Sequence, residues 1–433
     1  MQGKFLKALQ KTLENCIHEL DSIHSLFVRN PDADFARNRK ISFSDTCWSL
    51  IGLQGKSMPN EILDFFHHSL SAPTSSAFLQ QRKKVLLEAW DFLYHSFEQA
   101  CSPFSGISRY GFHIYACDGS DVNICRNPDD EETFIHEGER GYNAIHINAL
   151  YDLLNHTYHD VVFQGKKKLH ERSAFNTMID RYQGPAAIFI ADRGYESFNT
   201  FAHVIRAGQK FLIRMKDIES NGILGVYELP DDEFDTFIET TLTRRHTKET
   251  MGRPETYTIL PPKTDFDFLN ENVQYYRISF RIVRFKVSSG YVCVATNLPD
   301  EDFPPHLLRD LYRLRWDEES SFRELKYTIG LVNFHSKIKE LIFQEIYARF
   351  ILYNFCELVV SHAVIQTRGK TKHSYKINFA TAVNICKEYL KHGGGETEKM
   401  LLIQKYLTPI RPDRKYPLNL RPKRNRDFMY RAA

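Results

Sequence analysis

Residues 308–331, LRDLYRLRWDEESSFRELKYTIGL, form the most informative stretch of the sequence. No proline or glycine interrupts them before Gly330, so the stretch predicts one long helix that ends at this glycine. Four polar residues recur within it at offsets of 0, 3, 7 and 14: Tyr312, Arg315, Glu319 and Lys326. At about 100° per residue, these offsets place all four on one helix face. A charged helix face is usually only solvated, so a function for this one requires partners elsewhere in the chain.

Two aspartates that follow apolar strands supply such partners. The alternating stretch YGFHIYACDGSD (110–121) leads to Asp118, and the apolar run PAAIFIADRGYES (185–197) leads to Asp192. If these strands are neighbours in one sheet, their carboxylates converge, and a hard divalent cation is needed to neutralise them. With Glu319 as a third oxygen ligand, we predict a site for two Mg²⁺ ions, which Mn²⁺ can replace. Such a site performs phosphodiester chemistry.

Other interpretations of these residues stay open. Asp118 also suits an ordinary turn, and Asp192 could cap a helix or pair with Arg193. Asp121, three residues further on, is the alternative first ligand. Three histidines are further possible ligands, although a histidine in a strand or helix is more often a packed residue: His113, His146 and His170.

The order of predicted elements indicates an α/β fold. Strand–strand–strand–helix–strand–helix–strand across 106–216 is the order of a ribonuclease-H-like mixed sheet. We expect an inserted antiparallel β domain after it, and helical regions at both ends of the chain. The predicted parts are a helical DNA-binding region (1–105), the first part of the catalytic core (106–216), a β-rich insertion (217–300), the second part of the core (301–365) and a C-terminal helical region with a basic tail (366–433).

Composition excludes several classes of protein. With 42% hydrophobic and 26% charged residues, the 433-residue chain is an ordinary globular protein of several domains. Its eight cysteines include no C-x2-C pair, which argues against a zinc ribbon and favours a reducing cytoplasm. The most apolar stretch, 341–365, contains several charged residues, so it predicts a buried helix and no membrane span.

A family resemblance rests on these motifs. The spacing Y-x2-R-x3-E-x6-K of Tyr312, Arg315, Glu319 and Lys326 resembles the signature of the insertion-sequence-four family of bacterial DDE transposases. DRGYES at 192–197 and ACDGS at 116–120 are similar to the two aspartate regions of that family, and the β-rich insertion precedes the glutamate in both. The similarity covers roughly residues 35–360.

The resemblance implies a cut-and-paste DNA transposase with Asp118, Asp192 and Glu319 as catalytic metal ligands. It further implies that Tyr312, Arg315 and Lys326 hold the transposon end, and that a homodimer forms the synaptic complex on double-stranded DNA in the bacterial cytoplasm, associated with the nucleoid. Relatives carry a Trp in the insertion that assists base flipping, whereas residues 217–300 contain none. Four aromatic residues could substitute by stacking: Tyr275, Tyr276, Phe285 or Tyr291.

Basic residues outside the core are candidate DNA contacts. The N-terminal candidates are Arg37, Arg39, Lys40, Arg82 and Lys83, and Arg193 is a candidate beside the second aspartate. The basic tail from Arg411 and the run Lys166–Lys168 fit either phosphate contacts or simple solvation. Two competing hypotheses remain: a nuclease of the same fold without strand transfer, and a DNA-binding regulator that has lost the chemistry.

Overall fold

One mixed sheet of ten strands runs through the protein. The structure is a computed structural model, and it describes residues 2–37, 39–137, 140–218, 220, 222–287, 290–364, 374–410 and 429–430. Alternate residues of the strands face two apolar clusters, so both faces of the sheet are covered. Phe175 and Phe201 from helices between the strands lie in one cluster, and Phe350 from a long buried helix lies in the other.

The first six strands contain the two candidate aspartate regions. Their bounds are β1 (His113–Ile124), β2 (Phe134–Ile135), β3 (Tyr142–Asp152), β4 (Thr157–Gly165), β5 (Ala187–Ala191) and β6 (Lys210–Met215). The order across the sheet is β4-β3-β1-β5-β6, in which β1, β3 and β4 pair antiparallel, while β1, β5 and β6 pair parallel. All five residues of β5 are buried, as its continuous apolar run predicts.

The strands of the 217–300 segment continue this same sheet. They are β7 (Phe234–Thr243), β8 (Tyr257–Ile259), β9 (Tyr275–Val287) and β10 (Gly290–Thr296). Strands β7, β9 and β10 pair antiparallel with one another as predicted, but they do not form a sheet of their own, because β10 pairs antiparallel with β6 from Thr296↔Leu212 to Cys293↔Met215. An unpaired β6 would leave a row of free backbone donors and acceptors, and β10 satisfies them.

Helices surround the sheet in three groups. The N-terminal group is α1 (Gln2–Ser22), α2 (Phe43–Ile51), α3 (Met58–Phe65), α4 (Ser75–Arg82) and α5 (Leu87–Ala100). The middle group is α6 (Glu171–Arg181), α7 (Phe198–Arg206) and α8 (Lys248–Gly252). The C-terminal group is α9 (Pro305–Arg313), α10 (Trp316–Glu324), α11 (Lys339–Ser361), α12 (Phe379–His392) and α13 (Glu396–Lys405). Short strands pair between these helices: β11 (Asn333–Phe334) with β14 (Met429–Tyr430), and β12 (Tyr375–Ile377) with β13 (Leu407–Pro409).

The N-terminal helices share the apolar core of the sheet. The hydroxyl of Tyr94 on α5 donates to the carbonyl oxygen of Tyr158 at 2.8 Å. Arg82 is fully buried, and its guanidinium lies 3.0 Å from the Glu345 carboxylate on α11. The expected role of Arg82 in DNA contact is therefore wrong, since this side chain serves as a buried counter-charge. In the described part of the chain, no helix is long and apolar enough to span a membrane.

The 308–331 stretch is not one continuous α-helix as predicted. It consists of α9, a tight turn at 314–315, α10 and a π-helical turn at Leu325–Ile329. In the tight turn, the N–H groups of Asp317 and Glu318 bond carbonyls three residues back, at 3.0 and 3.1 Å. Gly330 ends the segment in a left-handed conformation with φ +103°, as predicted.

A buried lysine lies behind this segment. Lys387 on α12 is 4% exposed, and its ammonium donates weakly, at 3.4 Å, to the carbonyl of Ile329. Burial, together with the positive charge of Arg349, lowers the pKa of Lys387 to about 7. The folded protein therefore carries a poorly compensated charge at and below neutral pH, whereas the unfolded lysine keeps its proton up to its ordinary pKa of 10.5.

We predict that Lys387→Met raises the free energy of unfolding by roughly 1–4 kcal/mol at pH 6. The gain should shrink as the pH rises from about 7 to 10.5, because the folded wild-type lysine loses its proton before the unfolded one does. Urea unfolding at several pH values measures this. Lys391→Met is the matched control, because Lys391 lies on the same helix but pairs with Glu61 and Asp64 at 3.2 and 2.8 Å; this variant should be destabilised.

Candidate active site

Asp118 and Asp192 lie side by side at the carboxyl end of the stretch over which β1 and β5 pair in parallel. The pairing of these strands ends at Cys117↔Ala191, and each aspartate is the next residue. Neighbouring strands lie about 5 Å apart, so the two residues are adjacent in space. The prediction that β1 ends at Asp118 is wrong, because β1 continues to Ile124. Among the described strands, β1 pairs beyond Cys117 only with β3.

The pKa of Asp118 reflects the charges of the neighbouring carboxylates. Burial raises this pKa, and the negative charges of Asp192 and Glu319 raise it further. A hydrogen bond of 2.8 Å from the Gly119 N–H and the charge of Arg315 oppose the rise without cancelling it. The carboxylates of Asp192 and Glu319 are therefore both close enough to Asp118 to raise its pKa.

Arg315 provides the positive charge between these acids. Its guanidinium lies 3.7 Å from Asp118 and 3.2 Å from Glu319, so one side chain contacts the acid of the strand and the acid of α10. Arg315 is 6% exposed, and its Nε makes no well-formed hydrogen bond. The hydroxyl of Tyr312 is also buried without a well-formed hydrogen bond, and burial raises the pKa of Tyr312. Both atoms are buried hydrogen-bond donors without a good partner in the described structure, which is uncommon in folded proteins.

Asp192 also caps a short helical turn. Its Oδ1 accepts a hydrogen bond of 2.7 Å from the Gly194 N–H, and a 3₁₀ turn follows at Arg193–Tyr195. The capping interpretation is thus correct in geometry, and it fixes the side chain beside Asp118. Arg193 is exposed at the rim of this turn.

Lys326 and the alternative ligand Asp121 lie together. The Lys326 ammonium donates to the carbonyl oxygen of Asp121 at 2.8 Å. The Asp121 carboxylate lies 2.6 Å from His146 and 2.8 Å from Lys166. Burial alone would raise the pKa of Asp121, but these two partners lower it to about 2. Two close protein cations therefore already balance Asp121, whereas the cation beside Asp118 is Arg315 at the longer distance of 3.7 Å, which favours Asp118 as the first ligand.

Glu318 is a residue of this site that the sequence pattern did not indicate. Its carboxyl group is fully buried, and neither oxygen has a partner with good hydrogen-bond geometry in the described structure. Burial, and then the charge of Asp118, raise the pKa of Glu318 well above its usual range. Helical spacing placed Glu318 off the helix face that carries Glu319. Because Glu318 lies within a charged segment, the sequence contains no pattern that predicts its burial.

The remaining candidates are dispersed. Arg37, Arg39 and Lys40 are exposed, and Arg39 and Lys40 border an open groove of about 620 Å³ beside the N-terminus of α4. His170 lies 2.9 Å from Asp265, and His113 lies 3.6 Å from Asp152. The basic tail from Arg411 onward lies outside the described residues, apart from the pair 429–430.

The three predicted acidic residues fit a hard divalent cation, although in this structure the guanidinium of Arg315 provides the positive charge beside two of them. Asp118, Asp192 and Glu319 offer only carboxylate oxygens, the ligands that Mg²⁺ prefers. As they stand, no three His, Cys, Asp or Glu residues in the described part of the chain are arranged to hold a metal ion. Glu319 would have to release Arg315 before the three oxygens could share an ion.

Fold and site together describe an α/β protein in which Asp118 and Asp192, at one end of paired strands, form an acidic edge. The basic and aromatic segment from α9 to the π-helical turn lies beside this acidic edge. Residues 110–355 match the family of the transposase DDE domain, and the chain belongs to this family. A search of curated proteins found no match. One similar solved structure is the cryo-EM structure of the piggyBac transposase synaptic complex with hairpin DNA, with 9% identity, 90% of this chain and 81% of that chain covered, and a TM-score of 0.46.

We predict that Gly119→Ala destabilises the protein by about 1–3 kcal/mol, the usual cost of overpacking. A Cβ atom at residue 119 would lie 2.0 Å from Nε2 of His146, so the buried ring, which contacts Asp121 through Nδ1, would have to shift. Thermal unfolding measures the loss. Gly106→Ala is the control, because a Cβ there meets nothing within 4 Å; equal stability of the two variants would contradict the close contact.

Proposed function

We propose that the protein is a DNA transposase of the insertion-sequence-four type, which cuts and pastes an element by metal-dependent phosphodiester chemistry on a ribonuclease-H-like core. The observation that carries this proposal is the adjacency of Asp118 and Asp192, with Arg315 linking Asp118 to Glu319. The strand order β4-β3-β1-β5-β6, with its antiparallel and parallel halves, supports the ribonuclease-H-like arrangement. Membership of the transposase DDE domain family supports the reaction class.

Asp118, Asp192 and Glu319 would hold two Mg²⁺ ions, and Mn²⁺ could replace them. When bound, such ions lower the pKa of the attacking water or hydroxyl and stabilise the leaving oxygen. The protein's part is to hold three oxygens at one edge of a rigid sheet. Metal binding would free Arg315 from Glu319, so that its guanidinium could turn to a phosphate of the bound strand.

The helical segment would hold double-stranded DNA against this edge. Arg315 offers a forked donor, Lys326 adds a point charge, and Tyr312 brings a buried hydroxyl without a well-formed hydrogen bond. Exposed Arg193, beside Asp192, and the exposed Arg37, Arg39 and Lys40 would extend the contact along the backbone. Two element ends must be cut together, so we propose a homodimer in the synaptic complex, acting in the bacterial cytoplasm.

We predict that Asp118→Ala, Asp192→Ala and Glu319→Ala each reduce nicking by at least about a hundredfold, because each removes a ligand of the metal site. The assay uses purified protein, Mg²⁺ and a duplex that ends in the inverted repeats flanking the gene, and DNA binding should persist in a gel-shift measurement. Asp317→Ala is the matched control, since this acid is exposed on the same helix. Full activity of Asp192→Ala would overturn the assignment.

A labelled target duplex separates a transposase from a nuclease of the same fold. We expect wild-type protein to join the freed 3′-hydroxyl of the element end to this target, which gives products longer than either substrate. Hydrolysis without joined products would favour the nuclease. Absence of both reactions, with tight DNA binding, would favour a regulator that keeps only the fold.

A further inference from the structure

A fourth carboxylate borders the predicted metal site. Glu171 is the first residue of α6, and it approaches the turn that follows Asp192. A Cβ atom built on Gly194 would lie 2.9 Å from Oδ1 of Asp192 and 3.9 Å from Oε2 of Glu171. Both oxygens therefore lie within 4 Å of the position that a Cβ atom of residue 194 would occupy, and this position is free because residue 194 is glycine. The guanidinium of Arg172 donates to the Gly194 carbonyl oxygen at 2.8 Å and ties the two segments together.

A buried histidine fixes the orientation of this carboxylate. His146 on β3 is 4% exposed; its Nδ1 lies 2.6 Å from Asp121, and its Nε2 lies 3.1 Å from Oε1 of Glu171. The ring lies against the backbone of Gly119, so it cannot move toward β1. His146 contacts Oε1, and the other oxygen of Glu171 is the one that lies on the side of Gly194.

The contact between His146 and Glu171 is incomplete as a hydrogen bond. Nε2 of His146 is buried and has no partner with good hydrogen-bond geometry, although Glu171 lies within ion-pair distance. A buried ring nitrogen left in this state is unusual in a folded protein. The ion pair with His146 uses Oε1 of Glu171, so Oε2 is the oxygen that could bind another partner.

A purely structural role explains less of this geometry. An acid in the first turn of a helix stabilises the helix dipole, but that effect requires neither a buried histidine nor an approach to Asp192. Carboxylates that bind metals are commonly oriented by such second partners. Glu171 lies on the face of the sheet that carries α6, whereas Asp118 faces α10, so it would complete the site from the opposite side.

We propose that Glu171 is a fourth acidic residue of the metal site, which supplies an oxygen ligand on the Asp192 side, and that His146 is its positioning residue. This inference rests on the proposed function, since it assumes that the Asp192 side holds a divalent cation. It adds a residue that the Asp–Asp–Glu pattern of the sequence does not contain.

Calorimetric titration of the full-length protein with Mn²⁺ tests the proposal without measuring activity. We expect Glu171→Gln to weaken Mn²⁺ binding by about 10- to 100-fold, and His146→Asn, which is too short to reach both acids, to weaken it by a smaller factor. Glu396→Gln is the matched control, because Glu396 is also a first-turn acid, on α13, and should leave binding unchanged. Circular dichroism confirms that each variant is folded.

Asp192→Asn separates this inference from the proposed function. If wild-type protein binds no Mn²⁺, or Asp192→Asn binds it equally well, the proposed metal site itself fails. If Asp192→Asn loses binding but Glu171→Gln binds as wild type does, Glu171 is only a helix-terminal acid and the inference is overturned. If Glu171→Gln weakens binding and His146→Asn does not, the positioning role of His146 is wrong.

Discussion

The repulsion between neighbouring carboxylates is the constraint on which this structure depends. Asp118 and Asp192 extend from adjacent parallel strands one residue past their last pair, so the backbone ladder forces the two acids together. Two such charges in a partly buried place are unfavourable without a cation. In the described structure Arg315 provides that charge, and it reaches Asp118 and Glu319 at once. The segment from α9 to the π-helical turn is therefore bound to the sheet by charge as well as by apolar packing.

Glycines beside the acids make this crowding possible. Gly119 admits the ring of His146 against β1, and Gly194 leaves the space between Asp192 and Glu171 open. A Cβ atom would lie 2.0 Å from Nε2 of His146 at position 119, and 2.9 Å from Oδ1 of Asp192 at position 194. The acidic edge therefore requires residues without a side chain at positions 119 and 194, as well as charged residues at positions 118 and 192.

Local patterns predicted the parts of the protein that depend on local physics. The apolar run of β5 is buried on both faces, and Gly330 ends its helical segment in the left-handed conformation. Contacts between distant parts of the chain were not predictable from one sequence. Arg82 pairs with Glu345, which lies 263 positions away, so a basic surface loop and a buried ion pair look the same in the sequence. The continuation of β1 past Asp118 was missed for a similar reason, because DGSD resembles a turn and only pairing with β3 keeps it extended.

The charged residues of the candidate site also include some that the sequence indicated and others that it did not. Their order along the chain indicated Asp118, Asp192 and Glu319, because two of them follow apolar strands and the third lies in a spaced motif. Nothing in the spacing marks Glu318 or Glu171, and His146 was indicated only as a possible ligand; the surroundings of these residues come from distant segments that fold onto one another. Periodicity reports which face a residue occupies, but it does not report what packs on that face.

The pairing of β10 with β6 has a mechanical consequence. An unbroken ladder of backbone hydrogen bonds joins β5, which ends beside Asp192, to the strands between 234 and 296. Segments that share such a ladder tend to open as one cooperative unit. The inserted strands therefore cannot swing about a hinge relative to the acidic edge. A force applied to β7 or β9 would therefore bend the whole sheet, and this bending would displace Asp192.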